Sequence, residues 1–163
     1  MELVYHFNSN ESPELVQVGG KGMSLILMTQ QGLPVPPGFV LSVEFFKPWF
    51  EQIKGTPEWQ RVINSPSGEL KAHSAALKKL CMTLKLDEAR LKAFTEALNN
   101  LEKDHQNPLF AVRSSSPEED LEGASFAGGY ETTLGVRKET MEDALRPYLT
   151  RNRKGKSEGA QKS

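Results

Sequence analysis

The sequence has little cysteine, no long apolar run and almost no net charge, and each shortage excludes a class of protein. Its one cysteine, Cys81, cannot form an internal disulfide, which excludes a disulfide framework. No segment approaches the ~20 apolar residues of a membrane-spanning helix. A formal net charge of −1 argues against general binding to nucleic acid or to a membrane surface. The first residues lack a basic stretch followed by an apolar one, so we expect no signal peptide and a cytoplasmic location.

The pattern of apolar residues predicts one domain of mixed α+β class, with a sheet and flanking helices. Strands are predicted where short apolar runs lie between turn residues, at 3–7, 38–42, 108–114 and 130–136. Helices are predicted where apolar residues recur every three or four positions. The first runs from the glycines at 19–20 to Gly32, and the second from Ser42 toward Ile53 with a bend or delay at Pro48. Two more cover 68–84 and 87–101, the latter with Asp87 as N-cap, and two further helices begin at 116 and 138. Cys81 falls on an apolar helix face and is predicted to be a buried thiol.

The "GGKG" stretch at 19–22 is the first candidate for chemistry. Glycines let the backbone approach a ligand closely, and the following helix directs N–H groups and the positive end of its dipole at the turn. Lys21 is unfavourable in a first helical turn, where a carboxylate is preferred, and a bound anion would relieve the conflict. A surface lysine in a glycine turn is the competing interpretation. The stretch matches neither the Walker A pattern nor the dinucleotide fingerprint.

The second candidate is "FAVRSSSPEEDLEGASFAGGYETTLGV", residues 110–136. Arg113 ends a predicted strand, where its guanidinium suits bidentate contact with phosphate oxygens. The loop at 124–132 could offer backbone amides and the Thr132 hydroxyl to the same oxygens. Ser116, with Pro117 and Glu119 after it, has the signature of a helix start. The nearby carboxylates of Glu118, Glu119 and Asp120 could instead pair with Arg113, so a phosphate site and a structural ion pair both remain open.

The last residues differ in composition from the rest. Residues 151–163 hold five basic residues, two glycines and no aliphatic residue larger than alanine. This composition predicts a solvated, disordered tail rather than a nucleic-acid-binding arm, and places the folded domain at 1–150. No second histidine or cysteine lies at metal-ligand spacing from His73, so no metal site is proposed.

Taken together, "VGGKGMSL", "GLPVPPGF" and the 110–136 stretch, in this order, resemble a known family over residues 11–146. It is the N-terminal nucleotide-binding domain of phosphoenolpyruvate synthase and pyruvate, phosphate dikinase, which rifampicin phosphotransferases share. The resemblance implies the first lobe of an ATP-grasp-type domain, with ATP bound between two lobes. It implies ATP as cofactor and ATP-dependent phosphoryl transfer, through a phosphohistidine, to pyruvate or to another acceptor such as rifampicin.

The resemblance also implies roles for individual residues. Lys21 matches a lysine that contacts the ATP phosphates, and Arg113 a catalytic arginine that reaches them. Gly128, Gly129 and Thr132 match a glycine-rich loop that closes over the transferred phosphoryl group. The family commonly has glutamine where this chain has Gly129, and often asparagine where it has Gly135.

Much of the family's machinery does not fit into 163 residues. A second lobe would bring the Mg²⁺ ligands, and further domains the phosphohistidine and the acceptor site; the three histidines here match no phosphohistidine motif. We therefore expect the chain alone to be inactive. It is interpreted as the first lobe of a phosphoenolpyruvate synthase-like kinase (as a truncation, fragment or split subunit), as a non-catalytic or regulatory nucleotide-binding module, or as a half-enzyme that a separate second-lobe chain completes.

Overall fold

The computed structural model describes residues 2–66, 68–103, 106–115 and 132–149. Within these residues the elements, in chain order, are β1 (Val4–His6), α1 (Leu15–Gln30), β2 (Phe39–Leu41), α2 (Val43–Lys54), α3 (Pro57–Ile63), α4 (Leu70–Cys81), α5 (Glu88–Glu102), β3 (Phe110–Arg113), β4 (Thr132–Val136) and α6 (Met141–Leu145), with a 3-10 turn at Lys138–Thr140 before α6. The predicted mixed α+β class is confirmed. The helix start at 116–120 and the tail at 151–163 lie outside the described residues.

The described strands form two antiparallel pairs, β1 with β2 and β3 with β4, instead of the one sheet that the sequence predicted. In the first pair Tyr5 lies opposite Val40, and both side chains pack under α1. Phe39 and Leu41 alternate with Val40 and contact the main core on the other face. Helices therefore cover both faces of this short pair. Short apolar runs between turn residues identified the strands correctly, but they do not specify which strands pair.

The main hydrophobic core lies between α2, α4, α5, β4 and α6. Its buried members are Phe45, Trp49, Ile53, Leu77, Cys81, Leu84, Phe94, Leu98, Val136, Met141, Leu145 and Leu149. Cys81 is 1% exposed, which confirms the predicted core thiol. None of the helices in the described ranges combines the length and the hydrophobicity that a membrane-spanning segment requires.

Helix α2 runs through Pro48, so that, of the bend or delay that the sequence predicted there, the delay does not occur. Proline has no N–H to offer the carbonyl four residues back, here that of Glu44. The guanidinium of Arg90 supplies the missing donor: Nη2 lies 2.9 Å from Glu44 O and Nε lies 2.8 Å from Phe45 O. A side chain from α5 thus satisfies the Glu44 carbonyl that the proline leaves open and adds a bond to Phe45 O, and α2 continues to Lys54.

The ends of the helices follow local capping chemistry. Asp87 caps α5, because its carboxylate accepts from the Arg90 N–H at 2.8 Å, and this bond lowers the pKa of Asp87. Gly32, at φ 80°, ends α1 as predicted. The Gly32 N–H donates to Thr29 O and the Leu33 N–H donates to Met28 O. Ser42 stands at the N-cap of α2, but its hydroxyl donates to Glu2 O at 2.7 Å instead of capping.

Candidate functional site

The "GGKG" stretch bends α1 and gives Lys21 a new helix start. Gly19 has φ 76° and ψ 168°, a conformation essentially restricted to glycine, and helical geometry resumes immediately afterwards. Lys21, half-buried, therefore lies in the first turn of the second helical piece. The predicted tight turn is confirmed at Gly19, although helical structure begins earlier than predicted, at Leu15.

Ser115 joins this helix start to the end of β3. Its hydroxyl donates to Val18 O at 2.6 Å and accepts from the Gly22 N–H at 2.8 Å. The Gly22 amide is one of the N–H groups that a helix start cannot satisfy within the helix. Ser115 therefore acts as an N-cap supplied by a distant part of the chain, and it lies two residues after Arg113.

The approach of Ser115 explains why glycines stand on both sides of Lys21. A Cβ built on Gly19 would lie 2.2 Å from Ser115 O, and one on Gly22 would lie 3.2 Å from Ser115 Oγ and 3.0 Å from a Val40 methyl. The first distance is impossible for a real contact, and the second demands that neighbours move. The glycines in this turn thus serve close backbone packing.

Arg113 lies directly opposite Thr132 in the β3–β4 pair, and Val112 opposite Thr133. Directly opposed residues project their side chains to the same face of an antiparallel pair. Arg113 and Thr132 are both exposed. No acidic side chain in the described part forms an ion pair with Arg113, while Glu118, Glu119 and Asp120 lie outside that part.

A β-bulge at Gly135 shapes the same strand pair. Phe110 pairs with Val136, and Val112 pairs with Thr133. Ala111, between the two on β3, therefore faces two residues of β4, and the second of these, Gly135, has φ 69°. A positive φ at a bulge favours glycine and, next, asparagine. Gly135 therefore fits the backbone conformation that this bulge requires.

Tyr148 ties the two strands together from the C-terminal side. Its hydroxyl donates to Val112 O at 2.9 Å and lies 2.8 Å from Thr133 Oγ1. Since the single tyrosine proton goes to Val112 O, the threonine hydroxyl is the donor in the second bond. The strand end that carries Arg113 is thus held by Ser115 at one point and by Tyr148 at another.

Of the residues predicted to form the site, Lys21, Arg113 and Thr132 lie on elements that Ser115 and the β3–β4 pairing bring together. Gly128 and Gly129 lie outside the described residues. That the Lys21 and Arg113 side chains meet at one anion remains a prediction. Sequence reasoning missed Ser115 and Tyr148, and the one local signal for Ser115 was its place in the run of serines after Arg113.

The chemistry of these three side chains suits an anion. A primary ammonium, a guanidinium and a hydroxyl all donate hydrogen bonds, and two of them carry positive charge. Among the residues the structure describes, no group of three or more histidine, cysteine, aspartate or glutamate side chains could hold a metal ion. The described side chains are thus donors of the kind that phosphate oxygens accept from.

Comparison with known proteins gives a consistent family. The chain is 38% identical over 134 residues to the uncharacterized phosphotransferase YvkC of Bacillus subtilis, covering 80% of this chain and 14% of that relative. It is 38% identical over 130 residues to a phosphoenolpyruvate synthase of Aeropyrum pernix, covering 75% of this chain and 16% of the relative. The Escherichia coli phosphoenolpyruvate synthase is 29% identical over 143 residues, covering 83% of this chain and 18% of that relative.

The chain thus spans less than a fifth of the length of these three relatives. The family profile described as "Pyruvate phosphate dikinase, AMP/ATP-binding domain" matches residues 15–148, a stretch that holds Lys21, Arg113 and Thr132. With this match over most of its length, the chain belongs to the pyruvate phosphate dikinase AMP/ATP-binding domain family.

Proposed function

We propose that this chain forms one wall of an ATP site in a phosphotransferase of the phosphoenolpyruvate synthase kind. Lys21 and Arg113 bind the phosphates from two separate elements, and Thr132 donates its hydroxyl to the phosphoryl group that is transferred. Gly128 and Gly129 belong to the loop that closes over that group. In the complete protein the phosphoryl group passes through a histidine to pyruvate.

The observation that carries the proposal is the linkage through Ser115. One serine side chain binds backbone groups on both sides of Lys21, while its own position is two residues from Arg113. The Arg113–Thr132 pairing then adds a hydroxyl beside the guanidinium. Three donors from separate regions of the sequence are therefore carried by connected backbone segments, as a site for a polyanion requires.

Phosphoryl transfer explains what such a wall contributes. Its catalysis consists mainly of positioning and of neutralising charge as it develops on the phosphate oxygens. ATP supplies the phosphoryl group, and the residues of this chain hold its oxygens and reduce their charge. The carboxylate ligands for Mg²⁺ and most of the adenine pocket belong to the second lobe, so this wall alone binds ATP weakly and does not turn it over.

This division of labour is supported by the span of the chain, at most about a fifth of the curated relatives it matches. The phosphohistidine and the acceptor site lie in domains beyond this span. The proposal therefore concerns the ATP side of the reaction. A second-lobe polypeptide, on the same chain or a separate one, is the expected partner.

Calorimetric titration with ATP, with and without Mg²⁺, tests the proposal. The wild-type chain should bind ATP, and Lys21→Ala should weaken binding about tenfold, because a cation that contacts phosphate is lost. Lys71→Ala, which removes an exposed lysine of α4, is the matched control and should bind as wild type does. A wild-type chain without measurable heat up to millimolar ATP, or equal affinities in all three proteins, would refute the proposal.

A further inference from the structure

We propose that Ser115 is a positioning residue for the nucleotide phosphates: its hydroxyl sets the Lys21 helix start against the Arg113 strand end. The inference rests on the proposed ATP site and adds a residue that touches no phosphate itself. It assigns to one hydroxyl the geometry on which two cationic side chains depend.

Both bonds of the Ser115 hydroxyl cross the molecule. Val18 lies 97 residues away in sequence and Gly22 lies 93 residues away, at 2.6 Å and 2.8 Å. The hydroxyl donates its single proton to one partner and accepts from the other. A hydroxyl engaged in both directions has a fixed rotamer, so it defines the position of the helix start and not merely its proximity.

Gly19 supplies the freedom that Ser115 has to remove. Its backbone, at φ 76° and ψ 168°, lies in a region that only glycine enters readily, directly before the piece of α1 that carries Lys21. A glycine at this point allows that helical piece to reorient. Ser115 binds residues on both sides of the bend, Val18 before it and Gly22 after it, and so fixes the angle between the two pieces.

The consequence for binding is a dependence on phosphate number. A nucleotide triphosphate extends over several ångströms and benefits from two cations at a set separation, whereas a monophosphate engages fewer of them. A misplacement of about 1 Å can reduce the benefit of a positioned group by up to about a hundredfold. Loss of the Ser115 hydroxyl should therefore weaken ATP binding more than AMP binding, which a purely structural role would not do.

The test is an NMR titration of the isotope-labelled chain with ATP and with AMP, using the amide signals of residues 20–22 and the thermal midpoint of each variant. Ser115→Ala should lose about tenfold in ATP affinity but only about twofold in AMP affinity. Ser42→Ala is the matched control: the Ser42 hydroxyl is buried and also joins distant segments, through Glu2 O at 2.7 Å. It should lower the thermal midpoint and leave the ATP-to-AMP preference unchanged.

The outcomes separate the two proposals. A wild-type chain that binds no ATP, or prefers it no more than AMP, overturns the ATP site and the role of Ser115 together. A wild-type preference that persists in folded Ser115→Ala overturns the positioning role alone. If Ser115→Ala does not fold, Ser115→Thr decides, because it keeps the hydroxyl: a preference within about threefold of wild type supports the assignment, and a larger loss overturns it.

Discussion

Arg113 and Thr132 lie directly opposite each other in the antiparallel β3–β4 pair, although more than fifteen residues separate them in the sequence. Their side chains share one face of the pair and are exposed. Ser115, two residues after Arg113 in the sequence, contacts the glycine turn that carries Lys21. A ligand held by both Arg113 and Thr132 therefore lies at this end of the strand pair, beside the glycine turn.

Gly19 should be the glycine of this region least tolerant of a side chain. Gly19→Ala would place its Cβ 2.2 Å from Ser115 O, at φ 76°. Gly32→Ala is the control, since Gly32 has φ 80° but meets nothing within 4 Å. We expect Gly32→Ala to lower the free energy of unfolding by about 1–2 kcal/mol from backbone strain. Gly19→Ala should cost at least about 2 kcal/mol more from steric overlap, and equal urea-unfolding midpoints would contradict the close approach.

Gly135 should accept asparagine but not a β-branched residue. The bulge holds it at φ 69°, and a Cβ added there would meet no atom within 4 Å, so strain and not space decides the outcome. Gly135→Asn should cost less than about 1 kcal/mol of unfolding free energy, because asparagine tolerates a positive φ. Gly135→Val should cost about 2–3 kcal/mol. Thermal unfolding of both variants checks the order, and a valine variant as stable as the asparagine variant would argue against the bulge.

Arg90 should matter because of Pro48. Arg90→Met removes the donors to Glu44 O and Phe45 O, together with the ion pair to Asp87, and should cost about 2–3 kcal/mol of unfolding free energy. Pro48→Ala restores a backbone N–H for Glu44 O, so the same Arg90 change should cost at least about 1 kcal/mol less in that background.

Urea unfolding of the four proteins gives the coupling between Arg90 and Pro48. Arg61→Met, in α3 at an exposed position, is the control and should change stability by no more than about 0.5 kcal/mol. Strictly additive effects of Arg90→Met and Pro48→Ala would show that the guanidinium does not replace the missing amide.

The sequence predicted those features whose cause is local. The Asp87 cap, the helix stop at Gly32 and the glycine turn at Gly19 each follow from the conformational preference of one residue, and the structure confirms all three, although the turn at Gly19 lies inside α1 instead of before it. Helix α3 had the same kind of signal, since Thr56 and Pro57 mark its start, and it was overlooked.

Features that depend on distant partners could not be predicted. Nothing near Pro48 in sequence shows that Arg90 will satisfy the open Glu44 carbonyl, so a bend or delay of α2 was the reasonable expectation, and the delay does not occur. Ser115 likewise resembles its neighbouring serines until the fold brings it to Val18 and Gly22. Lys21 and Arg113 were assigned to one site through the family resemblance, because periodicity alone could not relate two motifs so far apart.

The central claim, that Lys21 and Arg113 meet at one polyphosphate, is tested most directly by paramagnetic broadening with the Mn²⁺ complex of ATP. A small fraction of this complex, added to the isotope-labelled chain, broadens amide signals near the bound metal–phosphate group. The account predicts that the amides of Lys21, Arg113 and Thr132 broaden together, that Leu77 in the core is unaffected, and that Lys21→Ala suppresses the broadening. Broadening at only one of the two motifs, or none that depends on Lys21, would contradict it.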